Sequence, residues 1–324
     1  MASNIKNLVE KTEKTAESSN DPIYETNWCD MPADIKLECI GKMELKERLS
    51  LRCTAKTEKS LVDSKKMHFI ECTFGKNYIG FSSKNEYFFA EKFEDQEAWL
   101  NLMQYILKFG VFDKINFRRG VEELVNICFL GNFSQLIPAK NIEIGPFNMT
   151  TVINILQKFK DDAESISLDS LIQTEFLDAI LQYSHVQNAS YCQIKSLGRS
   201  EDIQKIAQMW IDNDSKIGTT FQITSDKNYS FELIPTHFAD RIVSQTEKRI
   251  RIRTNNPAKH ILVELEHQSE EVVVVILVCR FYRLMVISAD MKESEYDDNN
   301  EERMRKMVPE WFDWGYDSDG EYED

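Results

Sequence analysis

Over residues 31–66 the apolar positions recur at helical spacing. Ile35, Cys39 and Met43 fall one turn apart with Ile40 beside them. Leu45, Leu49 and Cys53 repeat the interval, and Leu51, Ala55 and Leu61 extend the apolar positions. Asp30 predicts a helix cap and Pro32 a first-turn residue, where a missing N–H costs nothing. Gly41 predicts the stop of that helix and Glu44 the start of the next. From residue 67 the period shortens. The stretches 67–70, 78–81 and 87–89 read as short strands of a hairpin or small sheet.

Beyond residue 95 the two periods alternate. Trp99, Leu102, Met103 and Ile106 predict a helix, followed by a strand at 114–117. Val121, Leu124, Val125 and Cys128 predict the next helix, with a strand at 141–144. Met149, Val152, Ile153 and Leu156 predict a third, with a strand at 165–168. A fourth over 171–181 leads to a strand at 190–194. Ile203, Ile206, Ala207 and Trp210 predict a fifth, opened by Ser200 as a cap and followed by a strand at 219–223. The strand centres lie about 25–30 residues apart, within the range of leucine-rich-type helix–strand repeats. Stacked units of this kind line parallel strands on one side and helices on the other. A doubly wound parallel sheet shows the same alternation, so both architectures are open at this point.

The last part of the fold reads as all-β. Residues 249–253 alternate strictly, 260–267 less cleanly, 272–279 form a buried apolar run, and 281–288 return antiparallel. Arg249, Arg251 and Arg253 share one strand face. They predict either a charged edge that blocks strand–strand aggregation or a basic docking face.

Charge changes the picture at both ends. The chain of 324 residues has a net charge of −15. Residues 31–66 run against it, with nine Lys/Arg and six Asp/Glu. Residues 290–324 hold fourteen acidic and four basic residues, which concentrates most of the acidity in a tail. A nucleic-acid surface is not expected, because phosphate binding needs a basic field. The first 20 residues are polar throughout, which predicts no secretory signal. The longest apolar run, 272–279, is too short to span a membrane. Seven scattered cysteines with no Cys-x-x-Cys pair point to free thiols in a reducing compartment, cytoplasmic and/or nuclear.

Three segments of the helical stretch carry a family resemblance. They are Met31-Pro32-Ala33-Asp34, Leu45-Lys46-Glu47-Arg48-Leu49 and Leu51-Arg52-Cys53-Thr54-Ala55-Lys56. In order and spacing they resemble an F-box of the nematode type, with its third helix starting at Leu51. Where many F-boxes place an aromatic after the third segment, this chain has the acidic Glu58. The helix–strand region is similar to the FTH-like domain that follows such F-boxes, and Trp210-Ile211 ahead of Gly218 resembles its recurring segment.

The resemblance implies an α+β chain with an α/β repeat. A three-helix F-box module (27–66) follows a disordered leader (1–26). A leucine-rich-repeat-like, substrate-binding domain (67–289) ends in antiparallel strands, before an acidic tail (290–324). It implies the substrate-recognition subunit of a Skp–cullin–F-box ubiquitin ligase. Met31, Pro32, Ile35, Ile40, Leu45, Leu49 and Leu51 would face the Skp adaptor, and the rest of the chain would hold an unknown protein client. The alternative is a non-ligase interaction scaffold with a structural or degenerate F-box.

The chemistry of catalysis is not legible. There is no Gly-rich phosphate loop, no Gly-x-Ser-x-Gly and no His-Glu-x-x-His. Five histidines are present, and His260 and His267, seven apart in a strand, would point to opposite faces. Cys29, Cys39 and Cys53 read as core residues of the helical stretch. No catalytic residue, metal ligand or cofactor is expected. In the tail, residues 310–316 set aromatics among acids, which predicts a disordered solubilising end or a short docking motif, with Ser318 as a phosphorylation candidate.

Overall fold

The computed structural model describes residues 27–83, 87–91, 95–130, 133–169, 175–195, 200–225, 231, 233–267 and 280–296. The leader 1–26, the run expected at 272–279 and the aromatic tail motif lie outside the described residues. The chain divides into two compact units, residues 1–195 and 196–324. The division falls inside the stretch read from sequence as one domain.

The first unit opens with a 3-10 turn, Trp28–Asp30, whose Cys29 N–H is accepted by the Asn27 side chain at 3.1 Å. Three helices come next: α1 (Ala33–Lys42), α2 (Leu45–Arg52) and α3 (Lys56–Ser64). Asp30 therefore sits in the turn and is not a cap. The N-cap is Pro32, which has no side-chain cap bond. The second helix starts where expected, with Glu44 and Glu47 forming a reciprocal capping box. The third starts later than the resemblance placed it, because Leu51 and Arg52 complete α2 and Cys53 caps it.

The chain then enters β1 (Met67–Gly75), β2 (Tyr78–Ser82) and β3 (Tyr87–Glu91), paired antiparallel in sequence order. On the other side of β1 the strands are parallel. They are β4 (Gly110–Phe117), β5 (Ala139–Ile144), β6 (Ser165–Asp169) and β7 (Tyr191–Lys195), each beside its predecessor. Helices alternate with them: α4 (Gln96–Phe109), α5 (Glu122–Leu130), α6 (Met149–Leu156), and the short α7 (Glu175–Ile180) and α8 (Ser184–Asn188). The helix expected over 171–181 is present in its described part as α7, and α8 follows beyond it, after Tyr183 takes an extended conformation.

Alternation explains the core. Cys72, Ile115, Ile142, Ile166 and Cys192 stand in register across five strands, and all are buried. Phe69 stacks on Phe112 and Phe74 on Phe117, each pair with ring centroids 5.4 Å apart. Truncating such a ring to alanine costs about 3–5 kcal/mol. Gly110 joins α4 directly to β4. A Cβ there would lie 2.6 Å from the Ile106 carbonyl oxygen, so only glycine permits the close approach. The alternate strand positions are polar. Glu143 accepts from Asn116 Nδ2 at 2.9 Å and pairs with Lys114 at 2.8 Å, and Ser165 donates to Asn141 at 2.6 Å.

The second unit contains α9 (Ser200–Asn213), β8 (Thr220–Ser225), α10 (Leu233–His237), β9 (Ile242–Gln245), β10 (Arg249–Arg253), β11 (Lys259–His267) and β12 (Arg280–Ser288). Its strands run β8-β12-β11-β10-β9, and every neighbouring pair is antiparallel. Ser200 is the first helical residue of α9, not its cap. Gly218, with φ +92°, makes the turn into β8 that an L side chain would strain. The run 281–288 returns antiparallel as expected, as β12, and pairs with β11. Of the ten described strand pairings in the chain, six are antiparallel, so a uniform parallel arc does not describe it.

Candidate functional site

The helical module is where sequence and resemblance place the site, and its core is small. Ile40 (0% exposed), Leu45 (6%) and Val62 (1%) form its buried apolar part, with α3 packed against both α1 and α2. Arg48 is buried with them, at 5%. Its fork donates to three backbone carbonyls: Nε to Met43 at 3.2 Å, Nη1 to Lys65 at 3.3 Å and Nη2 to Gly41 at 3.3 Å. Those oxygens end α1 and lie just past α3, so one side chain fills acceptors that helix termini otherwise leave open. Burial holds its guanidinium below the usual arginine range.

The seven residues expected to face the adaptor separate into two groups. Ile40 and Leu45 are core residues and present no surface. Pro32 and Ile35 (44% exposed) are on the surface, and Met31, Leu49 and Leu51 are half-buried. Met31, Pro32 and Ile35 gather at the start of α1, and Leu49 and Leu51 sit on α2. Cys29 and Cys53 are exposed and Cys39 half-buried, so these thiols are not core residues as expected; the short helices cannot enclose them. Trp28 was not anticipated as a participant. Its ring lies 5.7 Å beneath the Lys36 ammonium.

Two side chains fasten the module to α4. Arg52 bonds Asp63 through both arms, at 2.6 and 3.1 Å, and its guanidinium lies 4.9 Å over the Tyr105 ring of α4. Lys66 donates to the Lys108 carbonyl at the end of α4 at 2.8 Å. Residues far apart in sequence make these contacts, so periodicity alone did not show them.

The basic strand face of the second unit is also rearranged. β10 lies between β9 and β11 and is not an edge, so its arginines do not guard one. Arg249 pairs with Glu264 at 2.9 Å. Arg251 is 7% exposed and donates to the carbonyls of Met291, Ser288 and Ala289, to the Tyr296 hydroxyl, and through Nε to His260 Nδ1 at 2.8 Å. Arg253 is exposed. The expected three-arginine docking face is therefore not presented as a set. Arg251 instead binds the segment after β12, whose Met291 and Tyr296 pack on Leu262 and Ile287.

Among the described residues no three His, Cys, Asp or Glu side chains gather as a metal site, and no helix is long and apolar enough to cross a membrane. Burial pushes the Cys128 thiol up to about 12 and raises the thiols of Cys72 and Cys192 as well. Buried thiols of that kind are poor nucleophiles.

The first unit thus joins a compact three-helix module, with apolar residues left at its surface, to alternating helices and strands. The F-box domain model matches residues 28–70, and the FTH domain model matches residues 123–209. The chain thus has the F-box-then-FTH architecture of nematode-type F-box proteins. The FTH match runs from α5 into α9 and ends before Trp210, Ile211 and Gly218. No curated protein and no solved structure matches the chain. F-box domains in general bind the Skp adaptor and through it the cullin scaffold, and so mark substrate adaptors of ubiquitin ligases.

Proposed function

We propose that this chain is the substrate-recognition subunit of a Skp–cullin–F-box ubiquitin ligase. The observation that carries the reading is the F-box match over a module that leaves Pro32 and Ile35 exposed and Leu49 and Leu51 half-covered. The Skp adaptor covers these residues. The sheet units hold the client, and catalysis belongs to other subunits, so the chain contributes proximity alone. The bonds from Arg52 and Lys66 to α4 support a fixed distance between module and client.

The helix–strand region of the first unit works as a short stack of repeats. Its parallel strands run β1-β4-β5-β6-β7 without reversal, as stacked units do. A doubly wound sheet reverses its strand order at a switch point. The scaffold alternative, in which the module no longer engages the adaptor, draws on Glu58, half-buried on α3.

Co-purification decides between them. The full chain, expressed with the Skp adaptor and its cullin, is expected to retain both on an affinity column. Retention of neither partner would leave the scaffold reading.

A further inference from the structure

The segment after β12 turns back onto one face of the second unit's strands. Arg249, Arg251 and Arg253 share that face, and the register continues it from strand to strand. One row reads Arg249, Glu264, Arg283, Gln222. The next reads Arg251, Leu262, Met285, Thr220, and the third Arg253, His260, Ile287. Four guanidiniums thus meet one carboxylate in these rows. Glu264 accepts from Arg249 at 2.9 Å and from Arg283 Nε at 2.7 Å, so two cations share one negative charge. His260 adds no charge while its Nδ1 accepts from Arg251. With Glu266 of the row beyond counted, cations still outnumber carboxylates four to two.

The chain itself begins to cover this face. Arg251 holds the carbonyls of Ser288, Ala289 and Met291, and Met291 and Tyr296 pack with Leu262 and Ile287. The Arg249 guanidinium lies 5.3 Å over the Tyr296 ring, whose hydroxyl accepts from Arg251 at 3.0 Å. Tyr296 is therefore fixed among the arginines, and the chain that follows it starts there. Residues 297–324 hold eleven acidic and three basic side chains, and 310–324 hold seven acidic and none basic. Arg249 is half-buried and Arg253 exposed, so both are within reach of that chain. The row from Arg249 to Gln222 crosses three strand spacings, about 14 Å, which about five extended residues span. A segment tethered at Tyr296 meets the face at a roughly millimolar effective concentration.

We infer that the acidic tail, residues 297–324, docks in cis on this arginine face and closes it to other acidic segments. The inference stands on the second unit and does not need the ligase reading.

The test compares the full chain with a full-length variant in which every Asp of 310–324 becomes Asn and every Glu becomes Gln. The probe is a labelled peptide of residues 310–324, followed by fluorescence anisotropy. The variant is expected to bind the peptide about tenfold tighter than the wild-type chain, whose own tail competes. Binding to the variant is expected to weaken as salt is raised. Adding Arg253→Glu to the variant is expected to reduce affinity about fivefold or more. Adding Lys56→Glu on α3 makes the same change in net charge and is expected to hold affinity within about twofold. Arg253→Ala carries the test if the reversal disturbs folding. No binding by the variant, equal binding by variant and wild type, or equal loss in the α3 control overturns the inference. A wild-type chain that is a dimer by light scattering, and a monomer once the tail is neutralised, would place the tail on a second copy and overturn docking in cis.

Discussion

The helical module and the strands that follow it in the chain treat charge alike and apolar surface differently. Each region buries one arginine fork on backbone carbonyls, Arg48 in the module and Arg251 in the second unit. In the first unit's sheet, the inward strand positions such as Ile115, Ile142 and Ile166 are fully covered. In the module, Met31, Pro32 and Ile35 lie within five residues of one another and none is enclosed. Three helices of eight to ten residues are too small to surround their own apolar side chains. Exposed apolar residues occur elsewhere, Ile217 among them. What sets Pro32 and Ile35 apart is that they fall within the residues that match the F-box domain.

The largest effect that sharpens this comparison is expected in the second unit. Arg251→Ala removes the five hydrogen bonds of the buried fork and leaves acceptors without donors, so it should cost about 3–5 kcal/mol. It should also free the segment that carries Met291 and Tyr296. Urea denaturation and hydrogen exchange over residues 289–296 check both. Unchanged exchange there would show that the arginine does not hold the segment.

Arg48→Met is the counterpart in the module and is expected to cost about 2–4 kcal/mol, since three carbonyls lose their donor. Adaptor affinity should fall with it, because the helices lose their mutual anchor. A variant as stable as the wild-type chain would mean that the apolar core alone organises the module.

A pH effect separates the two arginines. His260 accepts from Arg251 through Nδ1, which needs a neutral ring. Burial first, then Arg251 and Arg253, holds its folded-state pKa below 6.5. A depressed pKa contributes stability that is present above the unfolded value and lost as pH falls from about 6.5 through the folded value. His185, depressed mainly by burial, adds in the same direction. The melting temperature should therefore drop on acidification below neutrality, and the drop should be smaller in His260→Gln. An identical pH profile in that variant would remove His260 from the explanation.

The smallest effect concerns the fastening of the module. Asp63→Asn weakens the Arg52 pair, which is partly exposed, and should cost about 1 kcal/mol or less. A larger loss in thermal denaturation would show that the pair organises the joint with Tyr105.

Much of this was legible in the sequence because it is periodic. The start of the second helix near Glu44, the switch to strands at residue 67, and the alternation from α4 to β8 arise from spacing. What spacing could not show is which apolar residue of a short helix faces inward. Ile35 and Ile40 look equivalent in the sequence, yet Ile40 is enclosed and Ile35 is not. That depends on where α3 packs. The arginines failed for a related reason. Arg48 meets Lys65 across 17 positions and Arg251 meets Met291 across 40. Only the folded chain turns such residues from solvated charges into internal ties.

The central claim is that surface residues of the module, not its core, hold the Skp adaptor. Leu45→Asp cannot test it, because Leu45 is buried and the change would damage the fold. The direct measurement is calorimetric titration of the adaptor into the wild-type chain and into Ile35→Asp/Leu49→Asp, with thermal melts of both. Tight binding by the wild type, lost in a variant that melts normally, is the expected result. Equal binding by both chains would contradict the assignment of this surface to the adaptor.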